Sequence, residues 1–134
     1  MKQIAATVLG AVTADQAEVA VYSGISSLTR FANNYIHQNV EESDTSVQVR
    51  AVIGKKVGVA ASDVVTPEGL KAVAERAVTL ARLQADNPDF ESLPGPGPIE
   101  KVDAFNEKTA AFSPEQRAAV VGQICDAARG ARLY

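Results

Sequence analysis

The only histidine of the chain, His37, stands in the stretch YIHQNVEE at positions 35–42, with Glu41 and Glu42 four and five residues further on. An imidazole near two carboxylates suggests half of a metal site, an acid/base pair, or a structural or surface contact. Zinc needs three or four protein ligands, mostly His or Cys. Read as a strand, the stretch puts Tyr35, His37, Asn39 and Glu41 on one face and Ile36, Gln38 and Val40 on the other. At about 3.3 Å per residue, His37 and Glu41 lie roughly 13 Å apart, too far to share one ion. The residues therefore favour a structural or surface-contact histidine, with no metal and no catalytic assignment. Glu41, Glu42 and Asp44 lack the spaced oxygen ligands and the glycine of a calcium loop and read as a solvated turn. The single cysteine, Cys125, falls on the apolar stripe of a helix and reads as a buried, inert thiol. Arg30, Asn33, Asn34 and His37 remain as a group that could contact a peptide or a partner. The plainer alternative is a turn, because Asn-Asn tolerates left-handed geometry, with Arg30 paired to a surface acid.

The elements that must position these residues follow from periodicity and punctuation. Ile4, Val8 and Val12 recur every fourth residue with Ala5 and Leu9 beside them, which favours a helix over the secretion signal that MKQIAATVLGAVTA slightly resembles. After a turn at Ala14–Gln16, AEVAVYSG alternates as a half-buried strand. A second strand is expected through LTRFANNYIHQNVEE, then a polar turn at ESDTS. Two more strands, VQVRAVI and KVGVAA, join at Gly54-Lys55, with Val47, Val49, Ala51 and Ile53 on one face. Thr66-Pro67-Glu68 opens a helix over 66–84 with an apolar stripe through Leu70, Val73, Ala74, Ala77, Leu80 and Ala81. The proline-rich DNPDFESLPGPGPIEKVDAF reads as an extended surface connector pinned by Phe90, Leu93, Val102 and Phe105. Ser113-Pro114-Glu115-Gln116 is a capping box opening a last helix that buries Val121, Ile124, Cys125 and Ala128 and stops at Gly130. The expected class is α+β: a curved antiparallel sheet of about four strands with helices packed on one face. The final Ala131-Arg132-Leu133-Tyr134 resumes an apolar pattern, so a continuation beyond the chain is expected.

Composition bounds the function. The chain has 134 residues, a net charge of -3 and 46% hydrophobic residues, which fits one domain, residues 1–134, with a modest core. No Lys/Arg run exceeds Lys55-Lys56, so the phosphate-neutralising patch of a nucleic-acid binder is missing. No stretch approaches the ~20 apolar residues of a membrane span. One cysteine and no Cys/His cluster point to a reducing, cytoplasmic setting.

From about Ala17 onward the sequence closely resembles the N-terminal region of the TldD/PmbA family, also called modulators of DNA gyrase. The resemblance is carried by Arg30-Phe31-Ala32-Asn33-Asn34, by Ile36-His37-Gln38-Asn39, by the acidic turn that follows, and by the strand-glycine-strand run VIGKKVGVA at positions 52–60. It implies the front domain of a cytoplasmic zinc metallopeptidase, or of its non-catalytic partner subunit, in a family whose longer members work as dimers. Zinc is then expected in the C-terminal domain of catalytic members, held by a helical His-Glu-x-x-x-His motif. A chain with one histidine cannot supply that motif, so no catalytic residue carries over. The function expected is a non-catalytic contribution to a subunit interface and a peptide-substrate channel. The alternative is a stand-alone module binding gyrase or another protein through its sheet edge.

Overall fold

The computed structural model describes residues 1–95 and 97–133. Pro96 of the connector and Tyr134 of the resumed apolar stretch lie outside the described residues. The elements run α1 (Lys2–Ala11), β1 (Gln16–Ala32), β2 (Tyr35–Ile53), β3 (Lys56–Ser62), α2 (Pro67–Leu83), α3 (Glu107–Ala110) and α4 (Pro114–Gly130). The class is α+β, and the antiparallel sheet has three strands in the order β1-β2-β3 rather than about four. The difference has a local cause. The reversal falls at Asn33-Asn34, both left-handed with φ of 50° and 61°, the conformation a two-residue hairpin turn requires. The stretch expected as a second strand is thus split between β1 and β2, while the acidic ESDTS, expected as a turn, continues β2 without a break. The chain forms two compact units, Met1–Gly24 with Asp44–Gly97 and Ile25–Ser43 with Pro98–Tyr134.

The first unit holds the larger core. Thr66 caps α2, its side-chain oxygen accepting from the Gly69 N–H at 3.2 Å, with Pro67 at the first position and Glu68 in the first turn. The stripe Leu70, Val73, Ala74, Ala77, Val78 and Ala81 is buried, as its three-and-four spacing dictates. It meets Val47, Val49, Ala51 and Ala60 from the sheet and Val8 from α1, all in one cluster. β2 and β3 pair from Val47↔Ser62 to Ile53↔Lys56 around a turn whose Gly54 has φ 60°. Gly58 lets helix and sheet come together: a Cβ there would stand 2.2 Å from the Ala81 nitrogen and 2.3 Å from the Ala77 oxygen. The connector is tied down by Asn87 N–H to Lys55 O, Lys55 Nζ to Pro88 O and Leu93 N–H to Gln16 Oε1. Phe90 and Leu93 are half-buried as expected.

In the second unit the hairpin arm is braced by side chains. Ser27 donates to Glu41 and Thr29 to Asn39, so a step of two along β1 matches an equal step back along β2, the signature of antiparallel pairing. Ser113 and Gln116 complete the capping box of α4. The helix runs through Gly130, and the left-handed residue that ends it is Arg132, φ 53°. Arg132 N–H then bonds Arg129 O and Leu133 N–H bonds Ala128 O, which is a Schellman closure. Two expectations fail here, and one element is new. Of the last helix's stripe only Cys125 is buried, with Val121 and Ala128 half-buried and Ile124 exposed. Val102 and Phe105, expected as pins, are exposed, Phe105 to 77%. α3, capped by the Asn106 side chain, was not foreseen; four residues are too few to show a period.

Candidate functional site

The four residues singled out in the sequence lie at and beside the hairpin turn. Arg30 near the end of β1 is exposed and makes no ion pair among the described residues. Asn33 is exposed, and its left-handed φ fits the turn reading. Asn34 is committed to structure: its Nδ2 donates to the Leu133 carbonyl at 2.6 Å, and its own carbonyl accepts from Arg129 Nη2 at 3.4 Å. His37 is exposed and sits edge-to-face with Tyr35, ring centroids 6.4 Å apart, within the usual range for aromatic pairs. The burial pattern of β2 alternates as read, with Tyr35, His37, Asn39 and Glu41 on the more exposed face. So the structure brings Arg30, Asn33, Asn34 and His37 to one end of the arm without joining them into a hydrogen-bonded set.

The residues sequence reasoning missed lie further along that same face. Glu41, read as part of a solvated turn, accepts from Ser27 Oγ at 2.9 Å and lies 3.6 Å from Arg117 Nη1. Asn39 reaches the Pro114 carbonyl at 3.2 Å while accepting from Thr29. Arg117, in the first turns of α4, folds back so that Nη1 donates to the Phe112 carbonyl at 2.9 Å. Only 12% of its side chain is exposed, and its Nε and Nη2 are buried without a hydrogen-bond partner. The signal that could have found it is electrostatic. A cation near a helix N-terminus faces the positive end of the macrodipole, an unfavourable place unless something else holds it. Arg117 lines a cleft of about 680 Å³ together with Ile25, Ser27 and Phe112, and the α3 residues Lys108, Thr109 and Ala110 complete the wall. Next to it, the Ser113 hydroxyl donates to Glu115 at 2.7 Å and, with the backbone N–H of Glu115, holds that exposed carboxyl below its ordinary range.

No group of three His, Cys, Asp or Glu that could hold a metal ion occurs among the described residues. His37, the one histidine, is exposed on β2, and Cys125, the one cysteine, is buried on α4. No helix among the described residues is long and apolar enough to cross a membrane.

A three-stranded antiparallel sheet with helices, an N-terminal helix and a long hairpin arm defines the class of domain. The sequence over residues 17–81 matches the family PmbA/TldA metallopeptidase domain 1. The fold is similar to that of TldE from Thermococcus kodakarensis, with a TM-score of 0.81 at 24% identity over 97% of this chain and 29% of that one. It is also similar to a candidate modulator of DNA gyrase from Bacteroides thetaiotaomicron, with a TM-score of 0.64 at 13% identity over 88% of this chain and 27% of that one. No curated protein matches the sequence. Its matched segment and its fold are thus those of a TldD/PmbA-like N-terminal domain. It spans less than a third of the length of either solved relative.

Proposed function

We propose that the chain is a non-catalytic recognition and assembly domain of a TldD/PmbA-like metallopeptidase, contributing to a subunit interface and to the channel that receives a peptide substrate. The observation that carries this reading is the arm of the second unit. Ile25, Leu28, Phe31 and Tyr35 are all exposed on it. Catalytic zinc then belongs to a C-terminal domain of catalytic family members, and the partner is a protein: a second copy or a related subunit. The acidic balance and the lack of a basic run favour protein contacts over DNA contacts, in a cytoplasmic setting. Sedimentation velocity over a concentration series tests the interface. The expected result is reversible association that weakens when Ile25 and Phe31 are both replaced by serine. A wild-type chain that stays monomeric throughout contradicts it.

A second reading is a stand-alone protein-binding module acting on gyrase or another protein through its sheet edge. The register with β3 stops at Val47, so β2 has β1 on one side only over Tyr35–Ser43. An open edge of this kind accepts an added strand. Binding of the purified chain to gyrase subunits, abolished by Ile36→Pro in a variant that still folds, supports this reading over the first.

A further inference from the structure

We propose that the cleft beside Arg117 binds the C-terminal carboxylate of a peptide that ends in an apolar residue. The two unpartnered nitrogens of Arg117, Nε and Nη2, are not an arbitrary pair. Their N–H groups lie side by side on one edge of the guanidinium, the edge that meets both oxygens of a carboxylate in a bidentate pair. The third nitrogen is occupied, donating to Phe112 O. A guanidinium edge enclosed away from water with no acceptor is costly, and an incoming carboxylate removes that cost.

The rest of the cleft says which carboxylate. Lys108 adds a second positive charge, and Ser27 and Thr109 add hydroxyls, while Ile25, Ala110 and Phe112 make the wall apolar. A C-terminal apolar residue carries its carboxylate and its apolar side chain on the same carbon, which matches cations and apolar wall in one cavity. A volume of about 680 Å³ suits a ligand of a few residues. Glu41, 3.6 Å from Nη1, disfavours a dianion such as a phosphate more than a single carboxylate. In the structure this edge is enclosed, on a side chain that itself lines the cleft. The proposal goes beyond the metallopeptidase reading and does not depend on it, since any protein segment with a free apolar C-terminus meets this chemistry.

Fluorescence polarisation with the 134-residue chain tests it, using a fluorescein-labelled hexapeptide ending in leucine with a free carboxylate, and the same peptide amidated. The free acid is expected to bind saturably, and the amide about tenfold more weakly or worse. Arg117→Lys, which keeps the charge but loses the fork, reduces binding of the acid about tenfold and leaves the amide unchanged. Exposed Lys108→Gln weakens the acid a few-fold, and Glu41→Gln, which removes the competing anion, tightens it. The proposal is overturned by equal binding of acid and amide, or by no saturable binding of the acid up to ~1 mM. It is also overturned if an amidated peptide with an internal aspartate binds as tightly as the free acid. The acid/amide comparison needs no variant, so a substitution that impairs folding does not blunt the test.

Discussion

Helices α2 and α4 are the same length, 17 residues, and begin alike: a hydroxyl residue at the cap, proline at the first position, an acid in the first turn. Each also ends with an arginine in its last turn. By local criteria α4 is the better built, since its cap is a full reciprocal box. Yet α2 buries six residues and α4 buries one. The difference lies in what each helix has to pack against. In the first unit a stripe of Ala, Val and Leu meets β3 at a glycine, and backbone can approach backbone. In the second unit Val120 and Ile124 stay on the surface, along with Phe105, Phe112 and Leu133. Good caps set where a helix begins; most of its stability comes from the face it buries. The first unit closes its apolar stripe into a core, and the second leaves apolar side chains such as Phe105 and Ile124 in solvent.

The largest expected effect lies at the closest approach in the first unit. Gly58→Ala drives a methyl into the α2 backbone and should destabilise the chain by about 3 kcal/mol or more, read from urea denaturation. Next, Val73→Ala should cost about 2–3 kcal/mol, whereas Ile124→Ala in α4 should stay within about 0.5 kcal/mol. Comparable losses for Val73 and Ile124 would erase the contrast between the helices. Removing the caps sharpens it further. Thr66→Ala and Ser113→Ala each remove about 1 kcal/mol of local helix stability, but only the first should lower the main thermal transition. Circular dichroism melts with backbone amide shifts separate the two outcomes. The smallest effect is that of pH. With its folded pKa lowered, Glu115 stabilises α4 above the ordinary carboxylate pKa, and that contribution is lost as pH falls through the folded value. An NMR titration should find the Glu115 midpoint below the ordinary value in wild type and close to it in Ser113→Ala.

The helices were legible because their starts are written in consecutive residues. Thr66-Pro67-Glu68 and Ser113-Pro114-Glu115-Gln116 need no tertiary information, and α2 starts where its motif places it, as does α4. The Val47, Val49, Ala51 face was legible because the strand alternation continues into β3 across a short glycine turn. The long hairpin was not. Its turn is Asn33-Asn34 inside a polar stretch, and the acidic residues of ESDTS imitate a turn while lying in β2. Side chains such as Ser23 and Thr45, hydrogen-bonded at 2.9 Å, help keep that polar ribbon extended. Of the candidate site, the exposed positions of Arg30, Asn33 and His37 could be read from the pattern. The Asn34 tie to Leu133 and the Arg117 cleft could not, because each joins residues distant in sequence, 99 apart for Asn34 and Leu133.

Native-state amide hydrogen exchange on the 134-residue chain tests most directly whether the unit that holds α2 has a closed core while the unit that holds α4 is looser. The account predicts two tiers. Amides of α2 from Val73 to Ala81 and of β2 from Val49 to Val52 should open only with global unfolding, while those of α4 and of β2 from Tyr35 to Glu42 open at lower free energy. A single tier, with α4 and the hairpin arm as protected as α2, would contradict it.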